Sequence, residues 1–248
     1  MIDRALKQLL KGIYARTRYN MNWLPNTPLD IGDIGLFQDN VFEKRRALAL
    51  EESGLVESKC TELAIDFTSG AEIGVVTKAS ADAPGLAVVA DGSVRITFGS
   101  QGGVMVKIRG NKIKSVVDFS KLKGQLLHLK RHHQFDRADT IVTEVIVAEV
   151  TSVLLASEKD AGIVLAAKSG MPLDDLWRPE AAACVSVRNA KGMACQIVSE
   201  RNLVPLYKCH GLRRRFWSNE EDVLRVTRSS DGLPEEEGDL DLFEVEPV

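Results

Sequence analysis

Residues Thr140–Lys168 read TIVTEVIVAEVTSVLLASEKDAGIVLAAK, and the rest of the chain is organised around them. The first arm, Thr140–Ala156, is rich in Val, Ile and Thr and holds no Gly or Pro. Side chains branched at Cβ fit a pleated, part-buried surface better than a helix. Ser157–Gly162 (SEKDAG) is polar, ends in Gly and reads as a turn, after which Ile163–Ala167 returns as a second arm. The expectation is a long hairpin. An unbroken first arm runs for 17 residues, where strands usually take about 5–6. Such a strand must bend, serve two sheets, or have a use for its length.

The 248 residues suffice for one large domain or two small ones, and at 44% hydrophobic and 27% charged they can bury a core. No apolar run approaches the roughly 20 residues of a membrane-spanning helix. The opening MIDRALKQLL sets charges inside its apolar pattern and has no small-residue cleavage site, so no secretory leader is expected. Cys60, Cys184, Cys195 and Cys209 show no CxxC spacing and read as reduced, buried thiols of a cytosolic protein. Charge is distributed unevenly. Asp231–Val248 (DGLPEEEGDLDLFEVEPV) carries eight acids and no base; set against a net charge of −3, they leave residues 1–230 at +5. A basic body with an acidic tail suggests a mask over a basic surface or an interaction tail.

Ile2–Tyr14 places Ile2, Ala5, Leu6, Leu9, Leu10 and Ile13 at helical spacing, with Arg4, Lys7 and Lys11 on one face. Two readings stand: a basic helix for an acidic membrane surface, or a helix docked on the core with a solvated basic face. Gly12 weakens its end. Ile31–Phe42 (IGDIGLFQDNVF) reads as two short strands around Asp39-Asn40, and Glu43–Ser53 (EKRRALALEES) as a short helix closed by Gly54. Strands are then expected at Thr61–Phe67, Glu72–Thr77, Leu86–Ala90 and Ser93–Phe98. Val104–Arg109 is expected to return beside Ser93–Phe98 and to close at Gly110-Asn111. Val116–Leu129 switches to helical period, with Val116, Phe119, Leu122, Leu126 and Leu129 as the apolar stripe. His128, His132 and His133 end that segment. His128 and His132 stand four apart, but no HExxH glutamate or nearby cysteine accompanies them, so they read as helix-end residues and no metal is expected.

Beyond the central hairpin, Pro172–Pro179 reads as a turn or one helical turn. Ala181–Val187 and Ala194–Val198 read as a strand pair around Asn189–Gly192, where Cys184 and Cys195 would stand opposite each other. Leu203–His210 carries Pro205 and reads as an edge strand. Ser218-x-x-Glu221 is a capping box for a last helix, Asp222–Val226. The tail alternates acids with Leu233, Leu240, Leu242, Phe243 and Val245, so it either docks as a strand or stays a solvated tail. No GxSxG and no nucleophile–base pair appears, so no enzyme and no cofactor is expected.

In this order the chain resembles the pore-forming domain of the gasdermins, most closely the small bacterial members, over about residues 1–226. The resemblance rests on the basic first helix (Arg4, Lys7, Lys11), the segment LDIGDIG and the β segments Thr61–Arg109. It continues through the basic helix Val116–Arg131, the arms of Thr140–Lys168 and the segment VSERNLVPLYKC. It implies an α+β fold: a twisted, mostly antiparallel β-sheet with flanking helices, followed by a short C-terminal inhibitory segment at 227–248. It also implies a cytoplasmic monomer, kept inactive until a protease removes that segment. The freed domain would bind an anionic inner membrane and assemble with itself into a β-barrel pore, killing the cell in antiviral defence.

On this reading Arg4, Lys7 and Lys11 meet the membrane, and Val145, Val147, Val153, Ile163 and Leu165 insert. Arg225 or Arg228 is cut, and Leu240, Leu242, Phe243 and Val245 inhibit. One departure is plain: bacterial members often carry a lipid-modified cysteine near the N-terminus, and here the first cysteine is Cys60. The competing expectation is an α+β binding module whose basic surface, over Lys107–Arg137, meets nucleic acid or an acidic partner and is masked by the tail.

Overall fold

The computed structural model describes residues 2–23, 25–38, 41–69, 73–76, 93–136, 138–166, 176–214 and 240–244. Its spine is β8, Thr140–Ala156, in a nine-stranded antiparallel sheet. One edge of β8 pairs with β7 (Val104–Val116) and, at its start, with β2 (Asp33–Gln38). The other edge pairs with β12 (Leu203–Arg214) and, towards its end, with β11 (Met193–Glu200). The length of the first arm is used to seat four neighbours. Register shifts relieve its twist, one of them between Arg109 and Lys112 on β7. The sheet is completed by β1 (Asn20–Met21) on β12, β3 (Val41–Ala47) on β2, β4 (Val56–Ser69) on β7, and β13 (Leu240–Glu244) on the far end of β12.

Both helices lie on one face of this sheet. In α1 (Ile2–Thr17), Leu9, Leu10 and Ile13 are buried against Phe67, Val106, Ile108, Ile146 and Val153. In α2 (Phe119–Arg131), Leu122 and Leu126 are buried against Ile34, Val116, Phe135, Ile141 and Leu212. Asp118 caps α2, its carboxylate accepting from the Lys121 N–H at 2.9 Å. Phe119, expected in the apolar stripe, is 42% exposed, and Val116 ends β7 rather than opening the helix.

A second sheet holds β5 (Ile73–Val76), β6 (Ser93–Phe98), β9 (Ala161–Ala166) and β10 (Ser186–Lys191) in the order β10-β9-β6-β5. The order mirrors part of the first sheet, where β11, β8, β7 and β4 lie side by side. Each strand of the second sheet is thus the continuation of a neighbour in the first. The chain turns sharply at 99–103, 157–160 and 192 to make the passage. These corners are laced together: Gly102 N–H donates to Ala156 O, Ala156 N–H to Gly103 O, and Ser157 N–H to Gly192 O, at 2.8–2.9 Å. The second sheet is folded back, so that Val94, Ile96, Phe98, Ile163 and Leu165 pack with Met105 and Leu154 on the face away from the helices.

This topology corrects several expectations. The arms of Thr140–Lys168 are strands joined by a turn, but they do not pair; β9 pairs with β6 and β10, so the expected hairpin is a corner between sheets. Val104–Arg109 does not return beside Ser93–Phe98 for the same reason, and β7 runs past Gly110-Asn111 to Val116 through a bulge. β10 and β11 likewise separate at Gly192, and Ala182–Cys184 is a 3-10 turn.

Glu43–Ser53 is not a helix. Its first part forms β3, drawn into the sheet by Lys44 on buried Asp33 at 2.7 Å, by Arg45 and Arg46 around buried Asp139 at 3.6 and 3.8 Å, and by Phe42 against Phe37 and Tyr207. Pro205 lies inside the sheet, not at its edge. It sits at the register shift between Leu203 and Leu206 in the β12–β8 ladder, and its carbonyl accepts from Asn22 N–H at 2.8 Å. Of the cysteines, Cys195 and Cys209 are buried while Cys60 and Cys184 are exposed, and all four are free. The strand expected at Leu86–Ala90, the first part of the turn expected at Pro172–Pro179 and the helix Asp222–Val226 with its capping box lie outside the described residues; at 176–177 the chain makes a short 3-10 stretch.

Candidate functional site

The acidic tail returns to the body as a strand. β13, Leu240–Glu244, pairs antiparallel with the far end of β12 in the register His210↔Glu244, Gly211↔Phe243, Leu212↔Leu242, Arg213↔Asp241 and Arg214↔Leu240. Its alternating pattern is what a strand laid on a half-buried edge requires. The ladder sets Arg213 in register with Asp241. α2 lies alongside β13. The expected inhibitory residues Leu240, Leu242 and Phe243 are therefore together on one strand. Val245 and both expected cleavage points, Arg225 and Arg228, lie outside the described residues.

Beneath the tail's attachment point sits a polar cluster. His210 begins the β13-bound stretch of β12, and its Nδ1 lies 2.8 Å from Thr143 Oγ1 on β8. Its ring packs 4.9 Å from that of Phe119, the first residue of α2. Two residues along β12, Lys208 Nζ stands 3.5 Å from Glu144 Oε1 and 4.6 Å above the Tyr19 ring. Tyr19 Oη donates to the same Glu144 carboxylate, tying the loop after α1 into the sheet. Burial and then the Lys208 ammonium hold the His210 imidazole below the usual histidine range, with Glu144 pulling the other way. The cluster thus joins the ends of α1 and α2 to the strand that carries the tail.

The second sheet carries the other feature of note. Along β6, Val94, Ile96 and Phe98 point inward while Arg95 and Thr97 are only half-buried; along β9, Ala161, Ile163 and Leu165 are buried and alternate with half-buried Gly162, Val164 and Ala166. Both strands alternate in burial with period two, β6 with polar residues on its outer face and β9 apolar on both faces. Of the expected inserting residues, Ile163 and Leu165 face the junction of the two sheets. Val145 and Val147 lie against Tyr207 on the face away from the helices, and Val153 is buried under α1. They do not share one surface in this state.

The expected membrane-contact residues fall on α1. Lys7 and Lys11 are exposed and Arg4 lies in the first turn. α1 itself is docked on the core, as the second reading of its pattern holds. The basic surface expected over Lys107–Arg137 is not one surface. Alternation sets Lys107, Arg109, Lys112 and Lys114 on the face away from the helices, and Lys121, Lys123, Lys130 and Arg131 ride on α2. On β7, Asp66 bridges Lys107 and Arg109 at 3.2 and 2.7 Å, and Lys114 reaches Asp30 and Glu51 at 3.3 and 2.7 Å. Burial pushes the Asp66 carboxyl up, but its bonds to Arg109 and Lys107 outweigh this and hold it below the ordinary value; the Glu51 bond chiefly raises Lys114.

The rings of His128 and His132 lie 4.5 Å apart, and among the described residues no group of three or more His, Cys, Asp or Glu is placed to hold a metal ion. No described helix is long and apolar enough to cross a membrane. Sequence reasoning missed the His210 cluster, because Tyr19, Glu144 and His210 are brought together only by strand register. The only local signal was His210 ending a hydrophobic strand. No family model, no curated protein and no solved structure matches this chain.

Proposed function

We propose that the chain is an autoinhibited pore-forming protein whose C-terminal tail is removed by a protease, freeing it to oligomerise on an anionic membrane. The observation that carries the reading is the folded ribbon. β4–β5, β6–β7, β8–β9 and β10–β11 each cross from one sheet to the other, and both sheets keep the same strand order. Opening the corners at 99–103, 157–160 and 192 converts this ribbon into two long antiparallel hairpins without changing which strands are neighbours.

A membrane-spanning β-strand needs about 9–11 residues with one apolar face, and the run from Thr140 to Ala166 exceeds that. In water the ribbon stays folded because Val94, Ile96, Phe98, Ile163 and Leu165 are buried. At about 1.5–3 kcal/mol each, their burial holds it closed by on the order of 10 kcal/mol. A bilayer offers those same faces an apolar medium, while a closed ring of copies removes the open edges that lipid does not tolerate.

Charge and tail agree with this reading. Loss of the acidic tail turns the chain from −3 to about +5, which favours anionic lipid, and Lys7 and Lys11 are already at the surface. The docked β13 blocks one edge of β12 and lies beside α2, as an inhibitory strand must. The alternative, a basic module for nucleic acid, loses its single surface to the division of the cations between two faces.

The test is dye release from anionic liposomes by the full-length chain and by residues 1–228. We expect release from the truncated chain only, and a sharp loss of it when Lys7 and Lys11 are both changed to Glu. A folded truncated chain that releases nothing would overturn the proposal and make salt-dependent nucleic-acid binding the next measurement.

A further inference from the structure

We propose that the acidic run at 235–239 (EEEGD), which leads into the tail strand, lies along one flank of α2 and is held there by Lys123 and Lys130. The inference concerns how the tail is held and does not rest on pore formation.

α2 is a cationic helix with nothing of opposite sign in it. FSKLKGQLLHLKR carries Lys121, Lys123, Lys130 and Arg131 and no Asp or Glu. Leu122 and Leu126 set its buried side, and helical spacing divides the cations around that side. Phe119, Lys123 and Lys130 follow each other at steps of four and seven residues and share one flank. Lys121 falls on the other flank, where its Nζ donates to Ser53 O at 3.2 Å. Arg131, nine residues from Leu122, comes to the outer face and is exposed.

The Phe119 flank is the one that meets the tail. The Phe119 ring packs 4.9 Å from that of His210, the residue of β12 in register with Glu244. Two residues on, Leu212 packs in the cluster of Leu122, Leu126 and Phe135. β12 therefore advances in the same sense as α2, and α2 lies alongside β13. Because β13 runs antiparallel to β12, the chain that leads into Leu240 comes from beyond Arg214, on the side of the last turn of α2. That leading chain holds Glu235, Glu236, Glu237 and Asp239. Its reach suffices: five extended residues back from Leu240 cover up to about 17 Å, and Lys123 and Lys130 stand about 10 Å apart along the helix axis. The C-terminal end of the helix dipole opposes acids with roughly half a charge. The full charges of Lys123, Lys130 and Arg131 outweigh it. Each exposed ion pair shifts an equilibrium by a factor of only about 1.4–5, so the hold is spread over several pairs and weakens with salt. It adds to a strand ladder that is only five residues long.

The test is amide hydrogen exchange in the full-length chain, with the protection of residues 241–244 compared with that of Ile146 and Val153 in the core. Changing Lys123 and Lys130 together to Glu should lower tail protection by about threefold or more and leave core protection unchanged. Glu235→Lys with Glu237→Lys should do the same, and all four changes together should restore protection. Lys121→Glu, on the other flank, should leave the tail as it is. Raising salt from about 0.05 M to about 0.5 M should lower tail protection in the unmodified chain, and much less once Lys123 and Lys130 are both Gln. Tail protection that survives either reversed pair, fails to return when the pairs are exchanged, or falls as far with Lys121→Glu would overturn the proposal. So would protection that rises with protein concentration, since the run would then lie on a second copy. Should the reversed lysines prevent folding, the glutamate pair and the salt series still decide it.

Discussion

At the scale of single residues, close approach rather than local preference sets the important choices. Gly12 lies inside α1, which continues to Thr17, so it does not mark the weak helix end that its type suggests. A Cβ there would come within 2.8 Å of the Phe67 ring. Phe67 is buried under the helix, with the Arg16 guanidinium 5.7 Å over its ring. Gly12→Ala gains helix propensity of about 1 kcal/mol but forces the ring or the helix to move, which typically costs about 1–3 kcal/mol. We expect a net loss of stability in urea unfolding; a gain would show that Phe67 has room to spare. Gly32 is needed for its backbone: φ is +86°, and an added Cβ would lie 2.1 Å from Leu48 O. A reader of the sequence sees both glycines in helical or turn contexts, but neither the ring above Gly12 nor the carbonyl beside Gly32 is written nearby.

At the scale of elements, the sequence reveals each segment's character more reliably than its partner. The alternation in Ser93–Phe98, the β-branched run of Thr140–Ala156 and the stripe through Leu122 and Leu126 all became the elements that their periods indicate. β3 failed because its residues favour a helix and only tertiary contacts overrule them. Three of its four charged residues, Lys44, Arg45 and Arg46, answer buried Asp33 and Asp139 from elsewhere in the chain. Asp139 holds the strand's far end and also accepts from the Asp136 N–H at 2.8 Å. Asp139→Ala should therefore destabilise the chain by about 2 kcal/mol, since the part-buried Asp136 amide loses its acceptor and two guanidinium groups lose their anion. It should also raise hydrogen exchange along β3 more than along β7. Equal effects on both strands would mean that Asp139 acts on the whole sheet and not on β3.

At the scale of the whole molecule, the chain is a ribbon of strands folded back on itself, with two helices on one face and a tail strand laid on β12. The α+β class and the mostly antiparallel sheet were legible in the order of strand-like and helix-like segments. The fold-back was not. A corner at Gly102, Asp160 or Gly192 looks in sequence like a hairpin turn, because both begin with a polar, Gly-containing break between two β segments. Which strand a segment pairs with depends on register over long separations, as in the pairing of Ser93–Phe98 with Ala161–Ala166. The tail's docking was half legible, since its alternation allowed a strand but did not say on which edge.

On the proposed function the second sheet swings out and lays its buried face into lipid once the tail is gone. Placing an environment-sensitive fluorophore in turn on single cysteines at positions 161 to 166 of the 1–228 chain tests this, with Cys60 and Cys184 replaced by Ser and the buried Cys195 and Cys209 by Ala. On anionic liposomes the account expects an alternating pattern: blue shifts and quenching by lipid-borne quenchers at 161, 163 and 165, with water-like emission at 162, 164 and 166. Uniform signals along β9, or protection from lipid at Ile163 and Leu165, would contradict it.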